Sequence, residues 1–201
     1  MSLYSFVLFI HVLSAVGLFV GMALEGFVTV RIGRATDAKQ MGFFIRAFDR
    51  LRWVFAPSFV GILLGGLYLG SKYGGGTFWI LAALIATLTI MLVGGLLTGR
   101  GMGKLRKALA GTEIALDVLS AKARSGQIAL SYGLRAGLAL GIVFLMTAKP
   151  DAWASISALI AGCLSGLFIA YGIRGIWNRS EAACGPWQQR DLPETPTMPI
   201  E

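Results

Sequence analysis

The sequence predicts an all-α integral membrane protein of five transmembrane helices. Three observations carry this. The 201 residues are 56% hydrophobic and only 14% charged, where a soluble domain carries about 25% charged residues. The apolar residues gather in five blocks of about 20, the length that crosses a bilayer as a helix. The charges lie in the connections between these blocks, where lipid headgroups would be.

The first span is expected over about residues 3–25. Its run Ser5–Val30 holds the only histidine of the chain. At about 100° per residue, His11, Ser14, Leu18, Met22 and Glu25 share one face. Ala15, Gly17 and Gly21 lie beside that face and permit close approach of another helix. No basic stretch precedes the run, and it is too long for a signal-peptide core, so a retained helix is expected.

A polar connection follows. Its second part is amphipathic, with Phe44, Ala47, Phe48 and Leu51 on one side. It reads either as an interfacial helix at the headgroups or as an extension of the second span. The second span is expected over 53–71. Trp53 and Tyr68 suit the two interfaces, and Pro57 falls near the first turn, where a missing N–H costs little. Gly61, Gly65 and Gly66 form a packing face, and Lys72–Gly76 a short turn.

The third span is expected over 77–98, ended by Arg100–Lys104. Thr87 and Thr89 can bond the backbone one turn back. The next connection reads as one or two short helices, with Thr112 as an N-cap. The fourth span is expected over 128–147 and the fifth over 152–173, joined by the turn Ala148–Asp151. Arg174, Trp177 and Arg179 are expected to anchor the end of the fifth. Residues 1–177 thus form one five-span domain, and 178–201 a polar, proline-rich and largely unstructured cytoplasmic tail. Cys163 and Cys184 read as free thiols.

Lys and Arg set the orientation. The connections after the first and third spans hold six each, against one each in the two short turns, Lys72 and Lys149. The N-terminus is therefore expected outside, in the periplasm of a bacterium, and the C-terminus in the cytoplasm. The basic connections would attract anionic lipid headgroups. Their placement argues against nucleic acid, despite a net charge of +8. A faint repeat relates spans one and two to spans three and four, LGGLYLGSK from Leu64 against LGIVFLMTAK from Leu140. It suggests two repeated helical hairpins plus one helix; chance similarity of apolar segments is the alternative.

Four residues stand out. An ionisable side chain inside a span is a functional hypothesis by default, and imidazole ligates haem iron and copper. A single histidine requires a second ligand, either Met146 at compatible depth or the same histidine of a partner copy. The alternative is a neutral His11 bonded to a neighbouring helix. Arg135 and Glu25 lie at similar depth. They either form an ion pair that fixes register, or Arg135 snorkels to the headgroups. Gly74–Gly76 and Gly99–Gly103 lack the strand context of a phosphate loop. No Ser/His/Asp set or clustered Cys and His points to hydrolysis or structural zinc.

LFIHVLSAVGLFVGM, near the N-terminus, and GIVFLMTAKPD, Gly141 to Asp151, resemble spans of small bacterial membrane proteins related to the copper-resistance D and HemJ-like group. The resemblance touches about half the chain through short motifs. It implies a haem or copper link, with His11 in the place of the first-span histidine. The expectation is a small inner-membrane protein without catalysis of its own, holding haem b or copper through His11 and Met146. The alternatives are a non-catalytic accessory or structural subunit of a larger membrane complex, a small transporter component, or a membrane oxidoreductase. The glycine faces of spans one and two permit a homodimer.

Overall fold

The computed structural model describes residues 2–35, 37–72, 78–110 and 126–184. Among these there are only helices: α1 (Leu3–Gly33), α2 (Ala38–Arg50), α3 (Arg52–Lys72), α4 (Phe78–Val93), a π-helical turn (Gly94–Gly99), α5 (Arg100–Ala110), α6 (Gly126–Ala148) and α7 (Ala152–Cys184). Five stretches are long and apolar enough to cross a membrane, and they include α1, α3, α4, α6 and α7. Lys72 and Ala148 lie at one end of the bundle, here the turn end. The helices α2 and α5 lie at the other, the basic end.

Two glycine interfaces set the architecture. Antiparallel α6 and α7 meet through Gly133, Gly137 and Gly141 against Gly166, Gly162 and Ala158. A Cβ at Gly137 would overlap the Gly162 carbonyl oxygen, and one at Gly133 the Gly166 carbonyl oxygen. Only glycine lets the backbones approach this closely, so packing and dispersion replace side chains at the seam. The α1–α3 interface is looser and reciprocal. Gly61 receives Ser14, Gly17 receives Ser58, Gly21 receives Phe55 and Gly65 receives His11. The expected glycine faces of spans one and two are therefore used within the chain and carry no argument for a homodimer.

Three expectations change. First, α1 runs on to Gly33, past its expected end at Glu25. Second, α2 is a separate helix capped by Asp37, which accepts from the Gln40 N–H. It packs on protein: Met41 and Ile45 are fully buried with Val28 and Ile32 of α1 and Met102 and Leu105 of α5. Arg106 of α5 also pairs with Asp49 of α2. The apolar face that suggested a headgroup helix is satisfied by this small core. Third, the helix of the third span does not end at Arg100–Lys104 but continues to Ala110.

Trp177 departs from its interfacial expectation. It is 1% exposed, its indole seated where Gly33 has no side chain. The helix carrying it runs to Cys184, past the expected start of the tail. Trp53 stays exposed with Arg52 over its ring, as an interfacial residue would. The expected turn at Lys72–Gly76 (beyond Lys72), the Thr112 cap and residues 185–201 fall outside the described residues.

Gly137→Leu should destabilise the bundle by at least the ~1–3 kcal/mol typical of an overpacked core. Gly172→Leu, with nothing within 4 Å of its added Cβ, should be near neutral. Thermal unfolding in detergent distinguishes the two.

Candidate functional site

The face that His11, Ser14, Leu18, Met22 and Glu25 share turns into the bundle. Leu18, Met22 and Glu25 are buried, and His11 and Ser14 half-buried. Its two ionisable residues sit in different chambers of one seam. Helix α3 is held by α1, and α4 by α6, but α3 and α4 barely touch. The seam between them opens into a cavity of about 300 Å³ toward the turn end and another of about 260 Å³ toward the basic end.

The first cavity has aliphatic walls, including Ile62, Leu67, Ile80 and Leu84, with His11 and Met146 also on its lining. The His11 Nδ1 lies 3.1 Å from the Ile62 carbonyl oxygen. A carbonyl only accepts, so Nδ1 carries the proton and donates. This leaves Nε2 unprotonated in the neutral ring. A backbone carbonyl that fixes the tautomer is the usual support of a metal-ligating histidine. It is equally the plain satisfaction of a buried ring, so both expected readings of His11 meet in one geometry. Gly65 and Gly66 make room for the ring; a Cβ at Gly66 would lie 3.3 Å from His11 Cε1.

Met146 shares this cavity. Met22 is buried in the core and Met91 lines the other chamber. Met146 is 36% exposed near the end of α6. Among the described residues, no group of three or more His, Cys, Asp or Glu is placed to hold a metal ion. Any ion here would rest on imidazole and thioether.

The second cavity surrounds the ion pair that the sequence left open. Arg135 pairs with Glu25 through both guanidinium nitrogens, Nη1 to Oε2 at 2.9 Å and Nη2 to Oε1. The side chains are 6% and 1% exposed. Arg135 does not snorkel, because four of its five N–H donors find acceptors inside the bundle. Its Nε donates to the Ser131 carbonyl at 3.2 Å and its Nη2 to Thr98 Oγ1 at 3.1 Å. Thr98 and Ser131 are 2.8 Å apart, and Ser131 reaches the Val93 carbonyl at 3.4 Å. A donor chain therefore runs from Arg135 through Thr98 and Ser131 to the carbonyl that opens the π-turn.

Thr98, Ser131 and the π-turn escaped the sequence reading. Gly94, Gly95 and Gly99 around Thr98 were the available signal, since widened turns need a reason to form and often mark functional sites. Thr87 and Thr89 behave as expected, donating to Ala83 and Ile85 at 2.8 Å. Cys163 is a free, half-buried thiol.

The chain matches no family model, no curated protein and no solved structure.

Removing one partner leaves a bare charge away from water. Arg135→Leu should cost about 3–5 kcal/mol, and Glu25→Leu/Arg135→Leu should recover most of it. Unfolding midpoints of the single and double variants in detergent test this.

Proposed function

We propose that this is a small bacterial inner-membrane protein that holds a copper(I) ion or a haem b group at His11, without catalysis of its own. One observation carries the reading. The Ile62 carbonyl holds the Nδ1 proton of His11 and leaves Nε2 for a ligand on a cavity that Met146 also lines.

The residues fit both groups chemically. Imidazole and thioether are donors that copper(I) accepts, and both stay neutral, which suits an aliphatic cavity in lipid. A His/Met pair also serves as the axial set of haem iron, raising its potential. A volume of about 300 Å³ stands at the lower end of ligand cavities, so copper(I) needs less rearrangement than a macrocycle. Bound there, either group would supply one-electron redox chemistry. The chain's own part is to fix the imidazole tautomer, keep water out with Ile62, Leu67, Ile80 and Leu84, and offer the Met146 thioether as a second donor.

The resemblance to the copper-resistance D and HemJ-like group supports the same reading through the first-span histidine. The excess of Lys and Arg at the basic end supports a cytoplasmic location for that end and a periplasmic N-terminus. It also supports contact with anionic lipid headgroups there.

Purified in mild detergent, the wild type should carry a Soret band or near-stoichiometric copper. His11→Ala should abolish it, and Met146→Leu should keep the group but shift its spectrum or weaken retention. A wild type that is colourless and metal-free, and stays so after incubation with haem and with copper(I), would sink this reading and leave an accessory subunit of a larger complex.

Orientation has its own check. With Cys163 and Cys184 replaced by alanine, a cysteine at Ser2 should react with an impermeant maleimide on spheroplasts. A cysteine at Lys39 should react only after lysis; the reverse pattern would invert the topology.

A further inference from the structure

The chamber at the basic end contains more unclaimed positive charge than its formal composition suggests. Its lining includes Glu25, Asp49, Arg52 and Arg135, two acids and two bases. Both acids are already paired, Glu25 with Arg135 and Asp49 with Arg106. Arg106 is not part of the lining, so its charge neutralises Asp49 from outside. Arg52 pairs with no carboxylate among the described residues; its guanidinium lies 5.4 Å from the centre of the Trp53 ring.

Arg135 also has capacity left. A guanidinium carries five N–H donors. Nε donates to Ser131, Nη2 donates to Glu25 and Thr98, and Nη1 donates once to Glu25. The fifth N–H, on Nη1, has no acceptor among the described residues. Nη1 faces Gly94, where an added Cβ would lie 3.2 Å from it. Gly94 lines the cavity, so its missing side chain is what connects the buried nitrogen with the chamber. The opposite walls are apolar, including Phe55, Phe59, Ile90 and Met91.

We infer that this chamber binds a single-chain anionic amphiphile of the fatty-acid class, entering from the leaflet at the basic end. The carboxylate takes the free Nη1 donor of Arg135 and the charge of Arg52, and the chain lies among Phe55, Phe59 and Met91 in the α3–α4 seam. The Glu25–Arg135 pair stays intact, because the ligand uses the donor that Glu25 does not. A cation is disfavoured, since no carboxylate in the chamber is left unpaired. The site is independent of His11, which lines the other chamber.

The test is binding of a fluorescent 12-carbon fatty acid to the full-length protein in nonionic detergent. Wild type should bind it saturably. Arg52→Gln, at the exposed mouth, should weaken binding at least tenfold, and Gly94→Leu, which fills the gap beside Nη1 without altering charge, should weaken it by as much. His11→Ala should leave it unchanged. Unlabelled laurate should compete, and acetate and dodecanol should not. Equal competition by dodecanol, or wild-type affinity in Arg52→Gln, would overturn the proposal. Arg52→Gln alone keeps it falsifiable if Gly94→Leu fails to fold, as judged by its thermal midpoint.

Discussion

Burying an arginine and a glutamate in an apolar bundle is the constraint around which the rest of this structure is arranged. Each charge alone would carry a desolvation penalty of several kcal/mol. Together they are tolerable through two-pronged geometry and acceptors for two of the three remaining guanidinium donors. Arg135 on α6 therefore fixes the rotation of α1 through Glu25. It fixes α4 through Thr98, which the π-turn carries inward. The widened turn is the adjustment that brings a hydroxyl to the guanidinium, and Ser131 repays the altered backbone at Val93.

The seam between α3 and α4 follows from how the other helices are held. Glycines lock α6 to α7 nearly backbone to backbone, and alternating glycine and serine lock α1 to α3. Helix α4 lies on α6 through small residues, Ala82, Ala83 and Ala86. Each of α3 and α4 is thus committed to a different neighbour, and the two meet only lightly, as where Ile80 lies over Gly70. The gap is divided where Phe59 and Ile62 approach Ala86 and Ile90 in one apolar cluster. Two chambers result, one with a neutral imidazole and one with guanidinium groups.

The span count and the approximate bounds were legible because a bilayer-length apolar block is a strong signal. Helix α3 differs from its expected 53–71 by one residue at each end. The shared face of His11, Ser14, Leu18, Met22 and Glu25 was legible from periodicity, and the Glu25–Arg135 pair was one of two readings that matched depth left open. What stayed hidden lies at the basic end. The apolar face of α2 looks the same in sequence whether it meets lipid or protein, and only α5 and the extension of α1 decide for protein. Trp177 read as an interfacial anchor because its partner is an absence, the missing side chain of Gly33. The π-turn was hidden because hydrogen-bond spacing leaves no residue-type signature beyond the nearby glycines.

The two chambers differ in what they can hold, and the difference is electrostatic before it is steric. In the first, the free donor atoms are neutral and soft, a ring nitrogen and a thioether, so a bound group must bring its own charge or be satisfied without counterions. In the second, the donors are hard N–H groups and the Arg52 charge is offset by no carboxylate among the described residues, so an anion is the complementary occupant. The apolar plug at Phe59 and Ile90 keeps these environments apart, which allows a neutral imidazole and a charged guanidinium to share one seam. Both chambers border the seam where α3 and α4 barely touch. The same commitment of α3 and α4 to separate partners therefore leaves the seam that holds both chambers.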